Sequence, residues 1–213
     1  MSVPIKCTIL TSWLHDTRIV PVFHSHKRQK GDAHGTTDKI YKSLNPARRK
    51  SKAKQVLDLY LRNRLPFEQY EPTRPASFYT QDYHWSSLHR EYIAYTMGTF
   101  LRYYIYLKDR PDKIIGAINF NIFRTSREPY AEIGYKIDAL YQNRGIAYEA
   151  CEAALYVLEH DYQIHRVDAR IHPENIASIT LATKLGFRPL QFEPQSANIL
   201  GHYVDLMRYT KLL

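Results

Sequence analysis

Residues 132–147, reading EIGYKIDALYQNRGIA, constrain the fold more than any other stretch, because they join an apolar strand to a helix opened by glycine. Glu132-Ile133-Gly134-Tyr135-Lys136-Ile137 has the β-branched and aromatic content of a strand. Ile146, Ala150, Cys151, Ala154, Val157 and Leu158 recur at the spacing of a buried helix face. Between them, Gln142-Asn143-Arg144-Gly145 forms a loop rich in hydrogen-bond donors. A helix beginning here leaves its first backbone N–H groups unpaired and carries partial positive charge at that end. Gly145 lets an oxygen-rich ligand approach the backbone closely, so the segment is laid out as an anion-binding unit.

A second strand-to-helix unit follows. Arg166-Val167-Asp168-Ala169-Arg170-Ile171 reads as an apolar strand, and His172-Pro173-Glu174-Asn175 leads into a helix that carries Ser178 and ends at Leu185-Gly186-Phe187. Upstream, Asn45-Pro46 offers a cap and a proline at the first helical position, which predicts a helix to about Arg64. Thr80 is placed to cap a second helix running toward Met97-Gly98. Strands are expected at residues 39–44, 100–107, 113–123, 131–137, 188–192 and 202–209, with residues 109–112 as the turn of a hairpin.

The chain of 213 residues suits one well-buried domain. With 44% hydrophobic residues and 18 tyrosines, wholesale disorder is excluded. No apolar run reaches the roughly 20 residues that cross a bilayer as a helix, and the first residues lack a charged n-region and a long apolar h-region. A soluble, cytoplasmic protein without membrane partners is expected. Cys7 and Cys151 have no metal-ligand spacing and read as reduced thiols, and no metal is expected.

The net charge of +9 is unevenly spread: 12 Lys or Arg face three Asp through residue 54, and beyond it 18 face 18. The excess peaks at His26-Lys27-Arg28-Gln29-Lys30 and at residues 48–54, so residues 26–54 read either as an RNA or ribosome contact or as a solvated helix face and arm. Residues 1–37 are expected to form an N-terminal extension, loosely attached and basic toward its end. Pro21 confines any strand in it to a sheet edge. Residues 38–213 form the expected main domain.

Gln142, Gly145 and Ala147 fill the Gln/Arg-x-x-Gly-x-Gly/Ala places of the acyl-CoA motif, Asn175 and Ser178 an Asn-x-x-Ser helix, and residues 184–187 a Lys-Leu-Gly-Phe run. On these residues the chain resembles the GNAT N-acetyltransferases, in particular the RimJ/RimL type that acts on ribosomal proteins. The resemblance reaches upstream through Leu61-Arg62-Asn63-Arg64 and Tyr70-Glu71, and downstream to Gly201-His202-Tyr203-Val204-Asp205. It implies an α/β GNAT fold: a mixed, mostly antiparallel twisted sheet with a splayed central strand pair and flanking helices. It implies acetyl-CoA as co-substrate.

The same resemblance implies roles. The pyrophosphate goes to Gln142, Asn143, Arg144, Gly145, Ile146 and Ala147, with Tyr148 close behind. The pantetheine arm lies along Ile133, Gly134, Tyr135, Lys136 and Ile137, mainly through peptide groups, and Asn175 hydrogen-bonds the same arm. Ser178 serves the departing thiolate, Glu132 is a candidate base, and His172 competes for that role. The bland alternatives are that Arg144 is a solvated arginine, Asn175 only a helix cap, Ser178 bonded within its helix and His172 structural. Tyr70, Phe78, Tyr79, Tyr83, Trp85 and Tyr92 either line the acceptor groove beside Glu71 or belong to the core. The expected reaction acetylates a primary amine, foremost a protein N-terminal α-amine. A small-molecule amine and a non-catalytic CoA- or RNA-binding role are the alternatives. The sequence leaves the oligomeric state open.

Overall fold

The computed structural model describes residues 17–21, 46–126 and 128–213. Seven strands form one sheet in the order β1-β2-β3-β4-β5-β7-β6. They are β1 (Thr17–Pro21), β2 (Phe100–Leu107), β3 (Arg110–Phe123), β4 (Tyr130–Ile137), β5 (Arg166–Ile171), β6 (Arg188–Ile199) and β7 (His202–Leu212). Every neighbouring pair is antiparallel except β4 and β5. The helices are α1 (Pro46–Arg62), α2 (Arg64–Glu68), α3 (Gln81–Thr96), α4 (Ile146–Tyr162) and α5 (Ile176–Lys184). The mixed, mostly antiparallel sheet with flanking helices is the architecture expected.

Side-chain alternation separates two cores. On β2, Tyr104 and Tyr106 pack with Ala53, Val56, Leu59 and Tyr60 of α1 and Leu88 of α3. Leu101, Tyr103 and Ile105 join Ala150, Cys151, Ala154 and Leu158 of α4 on the other face. A bulge in the β2–β3 pairing, between Ile105↔Gly116 and Tyr106↔Ile114, shifts the phase of β3. Ile114 and Ala117 therefore face the α1 core, while Ile115, Ile118, Phe120 and Ile122 face α4. Gly116 is needed at this bulge, because a Cβ there would lie 2.7 Å from the Lys136 carbonyl oxygen and the Ile137 Cδ1.

Several expectations change in detail. The helix foreseen to Arg64 breaks at Asn63, which is buried and turns its side chain to the backbone of another segment. The β2–β3 turn is Lys108-Asp109 rather than residues 109–112, because Leu107 pairs directly with Arg110 and Pro111 is tolerated at a strand's start. β6 runs on to Ile199, carried past a register shift between Glu193 and Ala197. Thr80 caps α3 as expected, accepting from the Tyr83 N–H at 3.3 Å. The strand foreseen at residues 39–44 lies outside the described residues.

The N-terminal segment supplies a structural surprise. β1 pairs with β2 from Thr17↔Leu107 to Pro21↔Tyr103, and Ile19 is 2% exposed within the α4 core. Loose attachment does not describe these five residues. Their place at the sheet edge is the one Pro21 allows.

Candidate active site

β4 and β5 pair only at Ala131↔Val167 and Glu132↔Asp168, whereas β4 keeps its register with β3 along its whole length. From Ile133 onward the β4 edge facing β5 has no strand partner among the described residues. An extended ligand with amide groups can take that place as a further strand.

The divergence is held open by fixed contacts on both sides. At its base Asp168 is fully buried and accepts hydrogen bonds from Arg166, from Thr210 Oγ1 at 2.8 Å and from Arg208 Nη1 at 3.2 Å. Burial opposes its charge, but these donors and the two guanidinium groups hold the carboxyl below its ordinary range. β5 is thereby fastened to β7 where it leaves β4. Above the base, the Tyr135 hydroxyl donates to the Ser178 carbonyl oxygen at 3.1 Å and ties β4 to α5.

The loop after β4 is held from α1. Asn63 Oδ1 accepts from the Ala139 N–H at 2.8 Å, and Arg62 Nε donates to Asp138 Oδ2 at 2.7 Å. Asp138 Oδ1 in turn accepts from the Leu140 N–H at 3.1 Å. Gln142 donates its side-chain amide to the Ile137 carbonyl oxygen at 3.2 Å, so it closes the end of β4 and leaves ligand contact at this loop to backbone groups. Asn143 and Gly145 both adopt left-handed backbone, with φ of 59° and 77°. Gly145 precedes the first residue of α4 without any side-chain cap, and a Cβ built on it would meet nothing within 4 Å. The glycine is required by its backbone angle, and the space before it is open to a ligand. The N–H groups at the start of α4 face that space without a capping acceptor.

The other proposed cofactor contacts divide by side-chain direction. Ile133, Ile137 and Ile146 are buried in the α4 core. Lys136 points to the opposite face, where its Nζ bonds both Glu71 oxygens at 2.5 and 2.8 Å. Only their peptide groups are available to an arm lying in the divergence. Arg144 is exposed, its guanidinium 5.5 Å from the Tyr141 ring, and the Tyr148 hydroxyl donates to Glu152 at 2.9 Å. Asn175 Oδ1 accepts from the Ser178 N–H at 3.1 Å, which is the helix-cap arrangement and fixes where Ser178 sits.

Glu132 occupies the last paired position before the divergence and is half-buried. Burial raises its pKa, ahead of the opposing pull of Arg170 and Arg208. A carboxyl so placed is suited to accept a proton nearer neutral pH than usual. His172 lies beyond the end of β5, where its Nδ1 accepts from the Glu174 N–H at 3.2 Å and its ring is 5.5 Å from that of Tyr70. Phe78 and Tyr92 are buried in the core and Tyr79, Tyr83 and Trp85 pack against it, while Phe78 and Tyr83 also line a cavity on that side of the sheet.

Sequence reading missed Arg62, Asn63, Asp138 and Asp168. Their partners lie up to 76 residues away, and no local pattern announces such pairings. Asp138 directly after a strand carried the one available signal, that of a turn-forming side chain. Among the described residues no group of three metal-ligating side chains occurs, and no helix is long and apolar enough to cross a membrane.

The chain matches the acetyltransferase (GNAT) domain family over residues 44–188. It is 30% identical over 178 residues to the ribosomal protein uS5-alanine N-acetyltransferase of Escherichia coli (strain K12), a match covering 80% of this chain and 86% of the relative. The solved ribosomal-protein-S5-alanine acetyltransferase from Vibrio fischeri superposes with a TM-score of 0.72 at 24% identity, covering 76% of this chain and 88% of the other. RimL, a ribosomal L7/L12 α-N-protein acetyltransferase in complex with coenzyme A, does so with a TM-score of 0.69 at 21% identity, covering 77% and 90%. A strand pair that parts beside a glycine-opened helix thus has its explanation in descent: the chain belongs to the GNAT acetyltransferases of RimJ/RimL type, acetyl-CoA-dependent enzymes that acetylate amines.

Proposed function

We propose that this enzyme acetylates the N-terminal α-amine of a protein, a ribosomal protein foremost, in the cytoplasm. The observation that carries the reading is the 30% identity to a uS5-alanine N-acetyltransferase across 86% of that enzyme's length. Physical chemistry agrees with it. An α-amine has a reference pKa of about 7.7–8.0 against about 10.4 for lysine, so a single half-buried carboxylate suffices to neutralise it.

In this reading the backbone N–H groups of residues 143–147 and the start of α4 bind the pyrophosphate, and Arg144 adds charge from the surface. The free edge of β4 from Ile133 to Ile137 aligns the pantetheine arm. Glu132 takes the proton from the acceptor amine, directly or through water, as the nitrogen attacks the thioester carbonyl carbon. The C–S bond then breaks, and the Ser178 hydroxyl hydrogen-bonds or protonates the departing sulfur. His172 is the alternative base, reached through the ring nitrogen that Glu174 does not engage.

Residues 38–213 form the catalytic domain in this proposal, and residues 1–37 are an extension that lends β1 to its sheet. Residues 26–54 are the proposed RNA or ribosome contact. On α1, Lys50 and Lys54 are exposed, but Lys52 turns inward to the Tyr106 hydroxyl, and burial lowers its pKa to about 8. Fewer lysines are therefore offered than the sequence count suggests.

Thiol release from acetyl-CoA, measured against peptides with N-terminal alanine, serine or glutamate, free amino acids and polyamines, tests the acceptor. Turnover with peptides and little with the others is expected. Turnover restricted to amino acids or polyamines would overturn it.

A further inference from the structure

On the α1/α3 side of the sheet lies a cavity of about 300 Å³, bounded by α1, α3 and strands β2 to β4. Four side-chain atoms among the described residues are buried without a hydrogen-bond partner: Arg74 Nη1, His84 Nε2, Glu91 Oε2 and Arg102 Nε. All four belong to residues that line this one cavity. Buried polar atoms are normally satisfied, so their convergence on a single space marks a place built to receive a polar group.

The groups around it are held in place. The Arg74 guanidinium lies 4.7 Å from the Tyr60 ring and 4.4 Å from the Phe78 ring, and its Nη2 is engaged by Glu71. Arg102 Nη2 is 3.4 Å from Glu91 Oε1, with both side chains 14% exposed. His84 is 3% exposed and stacks on Tyr60. Burial, with Arg102 and Arg74 alongside, lowers its pKa to about 4, so the ring is neutral.

Charge selects the ligand. Three cations, Arg74, Arg102 and Lys136, face two carboxylates, Glu71 and Glu91. With both carboxylates ionised the surplus is one positive charge, and burial, which raises the Glu91 pKa, only adds to it, so the cavity suits an anion such as a carboxylate. Two guanidinium groups with free N–H atoms are the usual partners of a carboxylate, and the unpartnered Glu91 oxygen calls for an N–H or O–H beside it. The cavity also adjoins the reaction path. Asn119 lines it, and the Asn119 amide stands 3.1–3.2 Å from where a Cβ on Gly134 would be, against the strand proposed to align the acyl arm.

We propose that this cavity is the specificity pocket for the acceptor and that it recognises a carboxylate carried close to the reacting amine, with Arg74 and Arg102 as its ligands. The source that agrees with the α-amine reading is the side chain of an acidic residue at a peptide N-terminus; the α-carboxylate of a free amino acid has the same chemistry and is the other source the test distinguishes. This rests on the acetyltransferase reading above.

The test is calorimetric titration into the full chain saturated with CoA, using matched probes. One pair is a hexapeptide beginning with Glu and its counterpart beginning with Gln; the other is alanine and alaninamide; inorganic phosphate is the fifth probe. The carboxylate member of at least one pair should bind about tenfold or more tightly. The responding pair identifies the source. Arg102→Gln should abolish the preference while acetyl-CoA affinity persists, and Arg74→Gln serves if the first variant does not fold. Equal binding within both pairs, tighter binding of phosphate, or a preference that survives in a folded arginine variant would overturn the pocket. Absent acetyl-CoA binding by the unaltered chain would instead refute the reading beneath it.

Discussion

Glu132 shows how one side chain inherits its chemistry from its position. It stands where β4 loses its neighbour, and burial raises its pKa above the ordinary carboxylate value. If it is the base, activity should fall along an acid limb whose midpoint is raised relative to an ordinary glutamate, as protonation removes the proton acceptor. Glu132→Gln should lower kcat/KM by about 10²-fold at neutral pH, and the gap to the unaltered enzyme should shrink as pH falls through that limb. A pH–rate profile unchanged by the substitution would pass the role to His172 or to water. Ser178 is fixed by its own backbone, through Asn175 and Tyr135. Ser178→Ala should therefore preserve the fold and acetyl-CoA affinity while kcat drops by about 10²-fold, since the thiolate forms only as the C–S bond breaks. Equal losses in affinity and rate would reduce Ser178 to a part of the helix cap.

At the scale of elements, the parting of β4 from β5 depends on what anchors each strand. Asp168 fastens β5 to β7 at the base, and its removal takes this buried partner from Arg166, Arg208 and Thr210, the two arginines being partly exposed. Asp168→Ala should destabilise the fold by about 2 kcal/mol, the worth of hydrogen bonds to a charged group with partly exposed partners, read from urea unfolding at neutral pH. Because its folded-state pKa lies below the unfolded one, near 3.8, the unaltered chain holds this contribution above that value and loses it as pH falls through the depressed folded pKa. The difference between variant and parent should thus narrow only in strong acid, and a gap that closes already at pH 6 would contradict this. Strands and helices were legible in the sequence wherever one face repeats, as in α4 and β5. β3 was harder to read, because its bulge at Ile114–Gly116 changes which alternate residues are apolar. The loop's anchors, Arg62 and Asn63, follow no period at all, since they serve a segment distant in the chain.

The whole molecule divides into a sheet with two cores, and the candidate site lies where the sheet parts between them. The glycine turn and helix start of its proposed cofactor loop were legible, because a φ of 77° at Gly145 and the first residue of α4 are local features, whereas the loop's anchors were not. The cavity proposed for the acceptor was not, because Arg74, His84, Glu91 and Arg102 come from three separate segments that only the fold assembles. β1 lies at the sheet edge opposite β6, and burial of Ile19 against α4 contributes about 2 kcal/mol. Deleting residues 1–23 should lower thermal stability accordingly and leave acetyl-CoA affinity intact, since every residue assigned to cofactor binding lies beyond position 130. An unchanged melting temperature would mean that β1 adds nothing in solution. The central claim, that acetyl-CoA is held by the backbone at the start of α4, is tested most directly by calorimetric titration of acetyl-CoA into the unaltered chain and Gly145→Val. A Cβ here meets no protein atom, so beyond about 1–2 kcal/mol of backbone strain the variant should fold, confirmed by circular dichroism. Its affinity should fall about tenfold or more, as each charge-assisted hydrogen bond is worth about 1.5–3 kcal/mol. A folded Gly145→Val that binds acetyl-CoA as tightly as the unaltered chain would contradict the claim.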